Sequence, residues 1–327
     1  MIRRLAIENF KSIRHLELEC RRVNVFIGEP NTGKSNILEA LGLASFLAHG
    51  GDLEVYIRSK KPYELFYSYH IEAPLKILFD EEYAIVGRLT GTAELNLASR
   101  IKDSHPPPTR ISDGSITLRK VGGFMFVKFY RFMPHTVFSS ETLPFLCPPT
   151  GHNLPSVLLL NPKLRASIVN ILSDYGLTLM IDKLGHMVIF YELEGLAVRL
   201  PYTALSETLR RFIFHLAAIE SNKEAVITME EPEAHAFPTY TKYLAKRIAR
   251  DERNQYFITT HNPYFLMSLV EKTPVRDLAV YVTYLVGRET RVKLLSDDEL
   301  SELMDMASAV FFNLDKFLRG LLEASET

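Results

Sequence analysis

The stretch Gly28-Glu29-Pro30-Asn31-Thr32-Gly33-Lys34-Ser35 fits the spacing G-x-x-x-x-G-K-[ST]. Residues of these types at this spacing can hold a chain of phosphates. Gly28 and Gly33 allow the backbone to wrap an anion with its N–H groups facing inward, and Glu29, Pro30, Asn31 and Thr32 form the arc between them. Lys34 would reach the β- and γ-phosphates, and the Ser35 hydroxyl would ligate Mg2+. A helix starting here adds partial positive charge. The plainer alternative is a Gly-Lys-Ser turn that only caps a helix.

A second chemical feature lies about two hundred residues on, in VITMEEPEAHAFP (226–238). A short apolar run, which reads as a buried strand, ends in acids, although ionised carboxylates beside a core are costly to desolvate. Glu230 suits a Mg2+ ligand, direct or through water. Glu231 suits a general base that takes a proton from an attacking water. A solvated acidic turn is the alternative. One strand–helix unit later, QYFITTHNPYF places His261 after another apolar run, where an imidazole can reach a γ-phosphate.

The elements around these residues are those such a site requires. VNVFIG before the loop is a strand run, and the helix after it carries Ile37, Leu38, Leu41, Ala44 and Leu47 on one stripe up to Gly50-Gly51. The last third alternates: helix 205–220, strand 225–229, helix 239–250, strand 255–259, helix 264–270, strand 278–286. That rhythm predicts a parallel sheet with crossover helices, followed by helices near 297–306 and 312–323. The expected fold is α/β: a P-loop core of mixed or parallel sheet, an antiparallel β subdomain and a small helical insert. Residues 1–60 and 200–327 are expected to form the nucleotide-binding core, and 61–199 a β-rich lobe with the helical insert.

Within that lobe, strands are expected at LFYSYHI, EYAIVGRL, SITLRKV and FMFVKFYRF, with Gly122-Gly123 as a hairpin turn between the last two. HPPPTR (105–110) is expected to be a loop. A helix capped by Asn161-Pro162 runs towards Gly176, and strands return at LTLMID, HMVIFYEL and LAVRLPY. The aromatics of FMFVKFYRF, at strand period, read as core. The basic runs KRIARDER (246–253) and RSKKP near Lys60 read as solvated faces.

Composition narrows the classes further. The 327 residues are 47% hydrophobic and 24% charged, with 38 Lys+Arg against 39 Asp+Glu, so tight nucleic-acid binding by the whole surface is not implied, and a local basic patch is left open. Cys20 and Cys147 are far apart, so neither a disulfide framework nor a Cys-rich zinc site is expected. No signal-peptide pattern and no run of 18 apolar residues appears, and a cytoplasmic location is expected.

IRRLAIENFKSIRHLELE, VNVFIGEPNTGKSNILEAL, LSETLRR, VITMEEPEAHAFP and FITTHNPYF together resemble the ABC-type ATPase heads of the RecF/SMC/OLD group. The resemblance covers the first fifty residues and 200–270. It implies Walker A at Gly28–Ser35 extended by Asn36, Walker B at Glu230, a catalytic glutamate at Glu231 and a switch histidine at His261. It also implies ATP and Mg2+ as cofactors. Two heads would close around two ATPs, each offering a signature motif to the other's γ-phosphate. The candidate signature, Leu205-Ser206-Glu207-Thr208, lacks the group's glycines and carries the acidic Glu207, so Ser206 reads equally well as a helix cap. Glu230 stands where Asp is usual. The group's coiled-coil arms and nuclease domain are absent from the pattern.

The expected activity is Mg2+-dependent ATP hydrolysis that drives homodimerisation, in a DNA-associated process such as repair, maintenance or defence. The lobe would engage DNA or a protein partner, and no membrane is expected. The alternative is a slow-turnover, ATP-gated binding module. A guanine-reading N-K-x-D motif is missing after the acids, which disfavours a GTPase.

Overall fold

A computed structural model describes all residues except 92–93, 113–114, 118–119, 183–185, 307–310, 312–316, 318–319 and 321–327. The chain opens with strands β1 (Arg4–Phe10), β2 (Ile13–Glu19) and β3 (Val23–Ile27), then helices α1 (Lys34–His49) and α2 (Leu53–Tyr56). Strands β4 (Leu75–Phe79), β5 (Tyr83–Thr90), β6 (Glu94–Ile101), β7 (Thr109–Ser112), β8 (Ser115–Thr117) and β9 (Val127–Tyr130) follow. Next come α3 (Leu154–Leu160), α4 (Pro162–Ser173), β10 (Leu177–Ile181), β11 (Met187–Leu193) and β12 (Leu196–Pro201). The last third holds α5 (Glu207–Ser221), β13 (Val226–Glu230), α6 (Pro238–Arg250), β14 (Gln255–Thr259), α7 (Pro263–Lys272), β15 (Leu278–Val286), β16 (Glu289–Leu294) and α8 (Asp297–Asp305).

Six strands form the central sheet in the order β16-β15-β3-β14-β13-β9. All neighbours are parallel except β16, which folds back antiparallel on β15. The parallel strands are buried on both faces, as near-continuous apolar runs such as VNVFI require. Alternation along β3 sorts the two faces: Val23, Val25 and Ile27 pack with α5, α6 and α7, while Phe26 packs towards α1. Phe26, Phe257 and Tyr281 stack there on three neighbouring strands.

The second sheet is antiparallel, in the order β2-β1-β4-β5-β6-β7-β8. It covers the far side of α1, so α1 is enclosed between sheets. Its expected apolar stripe is buried, and so are most of its other residues, including Glu39 at 0% exposure. A third sheet, β10-β11-β12, stands with α4 as the expected helical insert. Asn161 caps α4 by accepting from the Leu164 N–H at 3.1 Å.

Several local expectations change. LFYSYHI forms short 3-10 turns, with Ser68 and Tyr69 in left-handed conformations, and joins β1 through an isolated bridge between Phe66 and Phe10 and the Asn9 side chain on the His70 carbonyl. Its alternating aromatics pack around a turn instead of pairing in a ladder. Gly122-Gly123 is not a hairpin: β8 belongs to the antiparallel sheet and β9 to the central one, and a 3-10 turn joins them. HPPPTR is a loop only to residue 108, since Thr109 and Arg110 open β7. Strands β4, β6, β7 and β16 and helix α3 add to the expected elements. The helix expected at 312–323 lies largely outside the described residues. No helix among the described residues is long and apolar enough to cross a membrane.

Candidate functional site

The carboxyl ends of β3, β13, β14 and β9 lie side by side, and each delivers a charged or polar residue to one place. β3 runs into the Gly28–Ser35 loop. Gly28 has φ 151°, and a Cβ there would meet the Thr283 carbonyl oxygen at 2.2 Å, so glycine is required. Gly33 has φ 95°, and its Cβ would lie 2.0 Å from Thr290 Oγ1 and 2.7 Å from Ser12 Oγ. Those two hydroxyls are 2.6 Å apart. Thr290 donates to the Thr32 carbonyl at 3.0 Å, and Asn36 Nδ2 donates to Ser12 Oγ at 2.6 Å. The underside of the loop is thus braced by β16 and by the β1–β2 turn, while Glu29, Pro30 and Asn31 form an exposed arc.

Lys34 folds back over its own loop. Its ammonium donates to the carbonyls of Gly28 at 2.9 Å and Glu29 at 2.6 Å. Burial pushes its pKa down to about 8, against the pull of Glu231, Glu230 and Glu29. These carbonyl contacts are the kind an anion in the loop would replace.

Ser35 Oγ donates to Glu230 Oε1 in a short hydrogen bond, joining the start of α1 to the end of β13. The same carboxylate accepts from Arg58 Nη2 at 2.7 Å and from Arg131 Nη2 at 3.1 Å. Burial would raise the Glu230 carboxyl, but the Ser35 hydroxyl and both guanidiniums outweigh it and hold the group below the usual range. Arg58 also donates to the buried Glu39 at 2.8 Å, and Lys11 pairs with Glu39 from the β1–β2 turn. Two acids and three bases therefore form a nearly balanced cluster behind Ser35.

Glu231 follows with φ 42°, its N–H bonded to the Thr259 carbonyl at 3.0 Å. This bend turns its carboxylate away from Glu230 and towards His261, whose Nε2 lies 3.6 Å from Glu231 Oε1. Both side chains are part-exposed. Burial and the nearby Lys34 charge lower the His261 pKa, which favours a neutral imidazole at pH 7. The third acid of EEPE, Glu233, is only 4% exposed. Burial pushes it up to about 7, and it accepts from Thr260 Oγ1.

The structure thus brings Lys34, Ser35, Glu230, Glu231 and His261 to one edge of the sheet. Ser206 is apart from them in the contacts it makes: it caps α5, accepting from the Leu209 N–H at 3.3 Å. Its neighbour Thr208 donates to the His235 carbonyl at 2.7 Å, and Glu207 pairs with Arg211 at 2.8 Å. Sequence reasoning missed Arg58, Arg131, Glu39, Ser12 and Thr290. RSKKP was expected to be a solvated face, but Arg58 from that run reaches Glu230. Burial of Glu39 on the all-round apolar α1 is the one sequence signal that calls for a cationic partner.

The residues fit Mg2+ and a nucleoside triphosphate. The glycine cradle excludes any Cβ, Lys34 holds exchangeable contacts within its own loop, and hard oxygen donors converge at Ser35 and Glu230. Arg58 and Arg131 are the departure, because they already supply positive charge to Glu230.

Residues 1–119 match the family model described as "AAA ATPase domain", and residues 135–268 match "AAA domain, putative AbiEii toxin, Type IV TA system". No curated protein sequence matches this chain. Among solved structures, the chain is similar to an SMC head bound to the C-terminal winged-helix domain of ScpA. There the identity is 11% and the TM-score 0.55, over 92% of this chain and 99% of that one. It is also similar to an SMC head domain with an extended coiled coil, bound to the C-terminal domain of ScpA, from Pyrococcus furiosus. That match has 11% identity and a TM-score of 0.51, over 93% and 98% of the two chains. At such identities the likeness is one of fold.

Proposed function

We propose that this chain, which has the fold of a RecF/SMC-like, ABC-type P-loop ATPase head, binds Mg2+·ATP at the Gly28–Ser35 loop and hydrolyses it. The observation that carries this reading is the Ser35–Glu230 hydrogen bond, which joins the loop to the acid 195 residues away. Bound Mg2+ supplies charge neutralisation of the β- and γ-phosphate oxygens. In this reading Ser35 and Glu230 hold the ion, and Lys34 leaves the Gly28 and Glu29 carbonyls to hold phosphate oxygens. Glu231 accepts the proton of the attacking water, and His261 Nε2 orients that water or the γ-phosphate. Gly28 to Asn36 cradle the nucleotide.

We assign nucleotide binding to residues 1–60 and 200–327 and partner recognition, of DNA or protein, to 61–199. β9 and Arg131 are the part of the latter that reaches the site. A second copy closes over the nucleotide with Ser206, in a cytoplasmic, DNA-associated process. Fast turnover by the chain alone is not required. Arg58 and Arg131 on Glu230, together with the acidic Glu207 beside Ser206, favour a second reading in which hydrolysis is a slow reset of an ATP-gated binding module.

Light scattering of wild type and Glu231→Gln, with and without Mg2+·ATP and with phosphate release followed in parallel, tests both readings. The expected result is an ATP-dependent dimer that persists in Glu231→Gln, with turnover lowered roughly 100- to 1,000-fold in that variant. Monomers that bind ATP in both proteins would remove the dimer from the proposal. Equal phosphate release from both would remove Glu231 as the base.

A further inference from the structure

Beyond the nucleotide site, the segment between β9 and α3 gathers three metal-capable side chains. Glu141 Oε2 lies 3.0 Å from His152 Nε2 and 3.7 Å from Cys147 Sγ. The three ligand atoms lie within 4.8 Å of one another. We propose that Glu141, Cys147 and His152 form a site for a single Zn2+-class transition-metal ion, with water as the fourth ligand.

Three arguments support it. The donor set of one sulfur, one imidazole nitrogen and one carboxylate oxygen suits Zn2+ and Co2+ and does not suit Mg2+ or Ca2+. The Glu141–His152 and Glu141–Cys147 separations are also those found around a tetrahedral ion, where ligands about 2.0–2.3 Å from the metal stand roughly 3–4 Å from each other.

The second argument is that the segment is held in place before any metal arrives. Cys147 N–H donates to Asn153 Oδ1 at 2.8 Å, and Asn153 Nδ2 donates to the Phe145 carbonyl at 3.0 Å. Gly151 N–H closes on the Cys147 carbonyl at 2.8 Å, and Ser139 N–H closes on the His152 carbonyl at 2.8 Å. Tyr130, at the end of β9, donates through its hydroxyl to the Leu146 carbonyl at 2.5 Å, and Ser221 Oγ accepts from the Leu146 N–H at 2.9 Å. A preformed site avoids ordering its ligands at the moment of binding.

The third argument is access to a buried sulfur: Cys147 is buried, and its Sγ faces the Glu141 carboxylate at 3.7 Å. The exposed Glu141 and part-exposed His152 leave the ion an entry path. The site also adjoins the nucleotide machinery, since Arg131 N–H donates to the Pro149 carbonyl at 2.9 Å within the same segment.

The test titrates the full chain, stripped with chelator, with Co2+ and then with Zn2+. Wild type is expected to bind one Co2+ per chain, with thiolate-to-cobalt charge-transfer absorption and tetrahedral ligand-field bands that Zn2+ abolishes. Cys147→Ser should lose the charge-transfer band and weaken Zn2+ binding by roughly 100-fold or more. His152→Gln, at a part-exposed position that tolerates substitution, should weaken Zn2+ while keeping the band. Cys20→Ser and Glu230→Gln should bind as wild type does. A wild-type chain that takes up neither metal overturns the proposal. So does a spectrum unchanged by Cys147→Ser and His152→Gln.

Discussion

The strands of the central sheet end in polar residues at both poles, but the two poles are satisfied in opposite ways. At the amino ends, Arg22 is 7% exposed and donates to the carbonyls of Ile248, Ala249 and Asp251 at 3.2, 2.9 and 2.7 Å, which closes the end of α6. Gln255 bonds both the N–H and the carbonyl of Ile2, at 2.8 and 2.7 Å. Asn254 accepts from the Ala225 N–H at 3.1 Å and donates to Asn222 and Asp251 at 3.0 and 2.6 Å. Each partner there is backbone or a fixed neighbour. At the carboxyl ends, Lys34 covers carbonyls of its own loop and Glu230 is held by two arginines. Among the described residues, the Glu231 carboxylate pairs only with a histidine, at 3.6 Å. Buried polar groups with permanent partners specify a fold; charges with exchangeable partners leave room for a ligand.

The sharpest way to break this contrast is to damage the amino pole. Arg22→Ala should lower unfolding free energy by about 3 kcal/mol, read from the urea midpoint, because the carbonyls it served are left buried. Turnover per folded molecule should stay at the wild-type level. A large loss of turnover would mean the poles are not separable.

Changing pH probes the carboxyl pole through Lys34. The Lys34 pKa is lowered to about 8, and phosphates would raise it, so ATP binding takes up a proton above that pH. ATP affinity should therefore be flat below about 8 and fall as pH rises beyond it, by up to about tenfold per unit. Lys34→Arg, which keeps its charge, should lose this slope in the same calorimetric titration. A smaller effect is expected from Arg58→Ala. Taking one guanidinium from Glu230 should tighten Mg2+ binding without nucleotide by roughly fivefold, measured by competition with Mn2+. Unchanged affinity would mean that Arg131 alone neutralises Glu230.

The two poles also differ in how far they could be read from the chain. Lys34, Ser35, Glu230 and His261 each follow an apolar strand run, and local patterns of that kind survive in a linear sequence. The parallel alternation of the last third was legible for the same reason, since each element carries its own period and its own stops. Arg58, Arg131 and Ser12 reach the site through partners 172, 99 and 278 residues away, and no period marks such pairs. Gly122-Gly123 shows the same limit. Glycines mark a turn, but whether the next strand pairs with the last depends on which sheet has a free edge, and β9 joined β13. In LFYSYHI, strand-like alternation yielded to left-handed backbone at Ser68 and Tyr69.

The central claim is that the charges at the carboxyl pole are arranged for Mg2+·ATP. Equilibrium ATP binding to wild type and Lys34→Ala, with melting temperature measured on the same samples, tests it most directly. The account predicts one site per chain that requires Mg2+ for full affinity. Lys34→Ala should lose roughly 100-fold in affinity, while its melting temperature without nucleotide changes little. ATP binding of equal strength in both proteins, or none in wild type, would contradict the account.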